Sequence, residues 1–440
     1  MRPSAQIIGT FAEQGIPNTA IPNERLSGNS VKFNGSIIEW EGRRLLAYRR
    51  YDPVHGRMNL AISVLGNDWM PTGEHHVPAM PCKLGNERHE DVRLFVHKKR
   101  LWMACAEVYN PTGSKGWHCS QRVFRLDKDF NPDHTLDIKV GKNFIGTEKN
   151  WAFFSWNDRL FFIYDTTTGN VIEVDDKTAD VINSWQHKRF HWPFGHMRGG
   201  TAPVFVKDLG WLAFIHSATD HAWLKRRYSM SAVVFAPEPP FAITRLSRLP
   251  ILYGTQQEAF CGSGNGQCIF PSGVILNGEQ WDVSAGVNDT FNVILHLGAK
   301  KVIDGMVPAD YYLQDRRQCY LSRNPRTVPF IAGPEYKWLT LYAGGHGTVG
   351  ILETDDPFAR DALENDPEIS AKTIKIPRDE YERLKPRPIQ RVFKVERADV
   401  TKMNGTPGIK IVNNVGVRIE GYRKPNDNQR APQIRGLAYR

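Results

Sequence analysis

IIEWEGRRLLAYRR, residues 37–50, spells a β-hairpin: a short apolar strand, a polar turn with a glycine, and a more apolar strand returning. The pattern recurs as LFVHKKRLWMACAE from Leu94, FFSWNDRLFFIYDT from Phe153, VFVKDLGWLAFIHS from Val204 and VILNGEQWDVSAGV from Val274. Intervals of roughly 50 to 60 residues, with a longer last one, leave room for four strands per copy, as a propeller blade requires. Further strand signals lie between the copies: MNLAISVL near Met58, QRVFRLD near Gln121, NVIEVD near Asn170 and SMSAVVFA near Ser229. A β-sandwich could hold as many strands but would not explain a repeat in register. The expected fold is all-β, a five-bladed β-propeller catalytic domain over residues 1–305.

After residue 305 the character changes. DPFARDALEND from Asp356 and PRDEYERLK from Pro377 read as short helices with acidic first turns, after a strand-rich part. A small α+β accessory domain is expected over 306–420, with a flexible basic tail over 421–440.

The chain has 440 residues, of which 41% are apolar, and 12 are Trp, which is ample for a core and argues against disorder. Aromatic faces in such numbers also suit sugar-binding clefts, although most serve as core. A formal charge of +10 points to an anionic partner, whether phosphate, nucleotide, nucleic acid or acidic glycan, or to a diffusely basic surface. The six cysteines are scattered without CxxC, and His187, His191 and His196 lack a ligand spacing, so neither a disulfide framework nor a metal is expected. No apolar run approaches a membrane span, so the expectation is a cytoplasmic protein with no membrane partner.

Three residues before the copies stand Asn34, Asp91, Asn150, Thr201 and Pro271, and their second strands end at Arg49, Ala106, Asp165, His216 and Gly286. A repeat that brings non-repeating polar residues to one edge is how a radial scaffold builds a central site. In HEDVR, residues 89–93, adjacent carboxylates can supply an acid, and strand alternation would point Glu90 and Asp91 to opposite faces. A surface salt-bridge cluster is the plainer alternative. In EKNW, residues 148–151, Lys149 suits an anion and Asn150 a sugar hydroxyl, unless the stretch is a solvated turn. In RGGT, residues 198–201, two glycines admit a ligand to the backbone and Arg198 offers a planar fork for phosphate. His216 closes the same hairpin, a position where histidine is more often structural. Asp289, after the fifth copy, can grip sugar hydroxyls. CGSGNGQC, residues 261–268, only superficially imitates a phosphate loop, since no following helix is evident.

FNGS with the later YR, then EDVR, EKNW, RGGTAP with His216, and FPSG with GVND, in that order, resemble the five-bladed propeller enzymes acting on β-mannosides. These are the mannoside phosphorylases and mannosidases of glycoside hydrolase family 130, with related mannosyltransferases. The likeness runs over residues 33–289. It implies one inverting displacement in the propeller funnel, with Asp91 as general acid working through a substrate hydroxyl in the phosphorylases. It implies phosphate binding by His216, helped by Lys149 and by Arg198 or His196 in place of the family's lysine. Asn34, Arg49, Arg93, Asn150, Thr201 and Asp289 would line the sugar site. Val92 stands where the family has proline, and EKNW and RGGT look more like the transferase relatives.

The expected activity is therefore inverting glycosyl transfer, either phosphorolysis of a β-mannoside or transfer from a phosphate-activated sugar. It needs no cofactor beyond inorganic phosphate or a sugar nucleotide as co-substrate. An inverting glycoside hydrolase, a non-catalytic glycan-binding propeller, and glycosylation or binding of nucleic acid are the alternatives.

Overall fold

In a computed structural model, the chain is described over residues 16–384, apart from 28–30, 53–56, 82–87, 111–117, 141–147, 191, 193, 222–223, 255–267, 314–317, 323–325, 333–334, 344–349, 355–359, 361–362 and 366. It divides into two compact units, Met1–Asp315 and Arg316–Arg440.

Each repeated hairpin forms the inner half of one antiparallel sheet in the first unit. Blade 1 runs Val31–Trp40, Arg43–Asp52, Arg57–Leu65, Pro71–His76, and blade 2 runs Arg88–His97, Arg100–Tyr109, His118–Leu126, Pro132–Leu136. Blade 3 runs Ala152–Trp156, Arg159–Asp165, Asn170–Val174, Val181–Trp185. In blade 4 the inner position is split between His196–Arg198 and Val204–Val206, both paired with Gly210–His221, and Leu224–Phe235 and Ile243–Ser247 follow. Blade 5 runs Ile269–Asn277, Gln280–Val287, Phe291–Gly298, and its outer strand is Asn18–Ile21 from the other end of the chain. That short strand gives too weak a signal to be read from the sequence, yet it pairs residue for residue from Asn18↔Leu295 to Ile21↔Asn292.

The turns follow from local chemistry. Glu41 and Gly42, Lys98 and Lys99, and Asn157 and Asp158 all have positive φ, the type I′ geometry whose twist matches paired strands. Propeller packing explains why the second strands are so uniformly apolar: each blade buries both faces against neighbours. Leu45, Ala47 and Ile62 of blade 1 pack with Leu94, Leu101 and Met103 of blade 2. Phe95, Trp102 and Val123 meet Trp151, Phe153 and Phe162 of blade 3. Phe154 and Phe161 meet Trp211 and Phe241 of blade 4. Phe214 and Val234 share a cluster with Trp281 and Val283 of blade 5, and Ile294 returns to Ile37 and Leu46 of blade 1. Five such seams close the ring.

Near the axis the inner strands approach too closely for side chains. A Cβ on Gly273 would lie 2.1 Å from the amide nitrogen of Ile37 in blade 1, and one on Gly199 would lie 2.0 Å from the Asn150 carbonyl oxygen. Met306–Pro308 pairs with Ile243–Ser247 of blade 4, so the sequence boundary at 305 falls inside the first unit. The physical reason is that blade 4 recruits this short strand to its outer edge.

The second unit holds an antiparallel sheet in the order Arg326–Ala332, Glu335–Ala343, Gly350–Thr354, Gln318–Ser322, Thr373–Ile376. The helix Arg378–Leu384 buries Tyr381 against Cys319, Ile351 and Ile376. Residues 360 and 363–365 are helical, within the stretch read as a helix from Asp356, and helix Pro367–Ser370 follows, while the rest of 356–366, residues 385–420 and the tail 421–440 lie outside the described residues. Among the described residues no helix is long and apolar enough to cross a membrane.

Gly273→Ala should cost about 1–3 kcal/mol through forced displacement of the blade 1 backbone. Gly278→Ala, in a turn with open space and φ +61, should cost only about 1–2 kcal/mol from left-handed strain. Urea denaturation of both variants checks the order; equal losses would mean that seam contact is not what requires Gly273.

Candidate active site

The inner strands are interrupted where they near the axis. Pairing jumps between Phe33 and Ser36, between Glu90 and Arg93, and between Pro271 and Gly273, so a bulge recurs in blades 1, 2 and 5. A bulge bends the strand and re-aims side chains. Asn34 and Asp91 within these bulges, and Asn150 just before blade 3, have φ of 52°, 53° and 69°. Left-handed backbone of this kind is tolerated by Asn and Asp better than by other non-glycine residues. One residue type therefore satisfies both the bend and the chemistry.

The bulges help bring six polar side chains together. Asn34 Nδ2 donates to Asp91 Oδ1 at 3.3 Å and to Asp289 Oδ1 at 3.2 Å, tying blades 1, 2 and 5. Arg49, opposite Phe33 and with its guanidinium over the Phe33 ring, donates through Nη1 to Asp91 Oδ1 at 3.1 Å. Its Nη2 lies 3.0 Å from Glu90 Oε1. The expectation that Glu90 and Asp91 face opposite ways thus fails, because the left-handed residue breaks strand alternation. Lys149 Nζ stands 3.9 Å from Asp91 Oδ2.

Asp91 is only 4% exposed. Burial pulls its pKa up, but Arg49, Lys149 and Arg93, with the Asn34 amide, outweigh that and hold it below the ordinary carboxylate range. Glu90 goes the other way: burial raises it, Arg49 opposes, and the Asp91 charge adds to the rise. Lys149 is raised, chiefly by Asp91, and stays an ammonium.

His216, 1% exposed, pairs in register with Arg198 and packs its ring on Phe270 and Tyr228 at 4.6 and 5.7 Å between centroids. Burial first, then the Arg198 and Arg93 cations, push its pKa well down, so it is a neutral imidazole. Its Nδ1 is buried without a hydrogen-bond partner among the described residues.

Arg93 and Thr201 are placed differently from the sugar-lining role expected of them. Arg93, wholly buried, donates to the carbonyls of Asp91, Gly199 and Gly200 and to Asn150 Oδ1, and so staples blades 2, 3 and 4. Asn150 is held by that staple. Thr201 is fully buried, and its hydroxyl accepts from the Phe214 amide. The Arg93 partners Asn150, Gly199 and Gly200 lie far away in sequence, which is why no local pattern announces them. Asp165 accepts from the Thr167 amide and the Thr168 hydroxyl, which fixes a turn, and Glu148 accepts from the Tyr164 hydroxyl. The side chains of Lys225, Arg226 and Arg227 and the loop 261–267 lie outside the described residues.

Fold and site together define a five-bladed propeller with a carboxylate-and-cation funnel at the inner ends of its blades. No protein-family profile matches the chain, and no curated protein matches it. Solved structures do resemble it. One is a protein of Parabacteroides distasonis ATCC 8503 provisionally named a glycoside hydrolase, with TM-score 0.50 and 15% identity over 69% of this chain and 97% of that one. Another is the β-1,2-mannobiose phosphorylase of Listeria innocua in complex with β-1,2-mannobiose, with TM-score 0.47 and 15% identity over 63% and 92%. A third is a mannose phosphorylase of Leishmania mexicana in complex with phosphate ion, with TM-score 0.45 and 13% identity over 69% and 95%. What is shared at such identities is the fold.

Two predictions follow from the buried polar groups. Because an unfolded chain protonates His216 near pH 6.5 and the folded one resists, stability should fall as pH drops below about 6.5. That contribution should vanish in His216→Phe, as read from urea midpoints across pH, and the His216 imidazole signal should not titrate where an ordinary histidine does. Arg93→Lys should lose at least about 2 kcal/mol, since one ammonium cannot satisfy four acceptors on three blades.

Proposed function

We propose that this protein is a carbohydrate-active enzyme performing inverting glycosyl transfer linked to phosphate. The reaction is phosphorolysis of a β-mannoside or transfer from a phosphate-activated sugar, with Asp91 as general acid. The observation that carries the reading is Arg49 and Lys149 beside Asp91, with neutral His216 close enough to feel the same charges and Arg198 opposite His216 in register. An inverting hydrolase needs a second carboxylate positioned to activate water. Attack by phosphate needs cations and hydrogen-bond donors for phosphate oxygens instead. Here Asp165 is committed to a turn, Glu148 to Tyr164, Glu90 to Arg49 and Asp289 to Asn34, which leaves the Lys149 ammonium beside Asp91 as the more available chemistry.

The electrostatics support a coupled order of events. In the free site Asp91 is held ionised, chiefly by Arg49 and Lys149, and an ionised acid donates no proton. A phosphate dianion drawn to Lys149 and Arg198 neutralises that field, so Asp91 rises toward the range of an acid as the nucleophile arrives. Asn34 and Asp289 would then hold sugar hydroxyls beside it, and the aromatic pair Phe270 and Tyr228 keeps His216 in its neutral form. The sequence resemblance to the β-mannoside enzymes supplies the sugar class.

An activity screen of aryl mannosides, manno-oligosaccharides, mannose 1-phosphate and nucleotide sugars, with and without phosphate, tests the proposal. Turnover that requires phosphate or a nucleotide, and that falls roughly 10²–10⁴-fold in Asp91→Asn, is the expected result. Phosphate-independent release of free sugar would overturn it in favour of hydrolysis.

A further inference from the structure

The function proposed above uses Asp91 but leaves its neighbour idle. Glu90 is not placed as a surface residue. Its carboxylate lies on the same guanidinium as that of Asp91, and its side chain is 17% exposed. Strand alternation would have sent it away from the funnel; the left-handed backbone at Asp91 brings it back. The two carboxylates are then supplied unequally. Asp91 receives Arg49 Nη1 and the Asn34 amide on one oxygen and has Lys149 beside the other. Glu90 shares only the remaining arm of Arg49.

We propose that Glu90 is the proton-holding member of a two-carboxylate acid, reloading Asp91, with which it shares the Arg49 guanidinium as a common anchor. The groups facing it are Arg49 from blade 1, Asp91 on its own strand, Cys119 in blade 2, Lys149 ahead of blade 3, and Asp289 in a turn of blade 5. Arg49, Lys149 and Arg93 all act on Asp91, while Glu90 meets the like charges of Asp91 and Asp289, so a proton taken up by the pair rests on Glu90, where the fewer donors point. Burial of Glu90 and the Asp91 charge work in the same direction.

Under the proposed phosphorolysis the proton balance closes. The proton leaves Glu90 for Asp91 when phosphate lifts the Lys149 field, and passes from Asp91 through a substrate hydroxyl to the departing glycosidic oxygen. The glycosidic C1–O bond breaks as the C1–O bond to phosphate forms. The proton originally on hydrogen phosphate, released as the ester forms, restores Glu90. Glu90 is thus a positioning residue that acts through Asp91.

This inference rests on the functional reading only for its kinetic arm, so its primary test needs no turnover. Carboxyl ¹³C signals of protein labelled selectively at glutamate, and separately at aspartate, would be followed against pH. Besides Glu148, which burial also raises, one glutamate should titrate above the ordinary range and disappear in Glu90→Gln, while no aspartate does so. In Asp91→Asn the Glu90 titration should move to lower pH, because Arg49 then serves it alone. An aspartate that titrates high, or no high-titrating carboxyl besides Glu148 in the wild-type protein, would overturn the proposal without recourse to any variant. For the kinetic arm, Glu90→Gln should shift the alkaline limb of kcat/KM to lower pH and reduce kcat about tenfold at pH 8, with KM nearly unchanged. A raised KM with an unmoved pH profile would make Glu90 a substrate ligand instead. Absence of any turnover would count against the proposed function while leaving the ¹³C result to decide the role of Glu90.

Discussion

A propeller's inner strands must stay paired to their own blades and still present side chains to a common axis, and a regular strand does these two things poorly at its end. The left-handed residues at Asn34, Asp91 and Asn150 resolve the conflict. Each bends the chain without giving up the neighbouring pairs, and each does so with a short polar side chain that can both hold the bend and reach the funnel. The Arg49 fork, the Asn34 bridge to Asp289 and the Arg93 staple all depend on where those bends leave the backbone.

Packing sets the conditions for that chemistry. Because both faces of each blade are covered, the funnel lies among dry seams, where a carboxylate and a guanidinium interact strongly and an unmatched charge is costly. The glycines at Gly199 and Gly273 let the chain close to contact with Asn150 and Ile37 of the neighbouring blades. Gly286 shows the same economy at the site itself: a Cβ there would fall 1.8 Å from Asn34 Oδ1. The catalytic candidates are therefore held by backbone contacts of distant blades more than by their immediate sequence neighbours.

What the sequence made legible follows from range. The five hairpins are local objects, with period-two patterning and turn residues inside fourteen-residue windows, and all five form as read. Asn34, Asp91 and His216 could be singled out because they sit at fixed offsets from those hairpins, and Lys149 because it adjoins one such position. The role of Arg93 was not, since its partners Asn150, Gly199 and Gly200 enter only through blade-to-blade contact. Glu90 was misplaced for a different reason: alternation is a rule about regular strands, and the bulge that breaks it leaves no signature in composition. Asn18–Ile21 was missed because four residues carry too little pattern to stand out from a loop.

That small strand has a kinetic meaning. Thr19 bonds His296 across 277 positions, so blade 5 is finished only by residues from opposite ends of the propeller sequence. Until both are present, the outer edge of Phe291–Gly298 offers unpaired backbone, and the ring has no seal between its first and last blades. Loop closure over such a span is slow and rewarded only at the end. The ring should accordingly form as a late, cooperative event, and the funnel, whose residues come from all five blades, comes into being at the same moment as the seal.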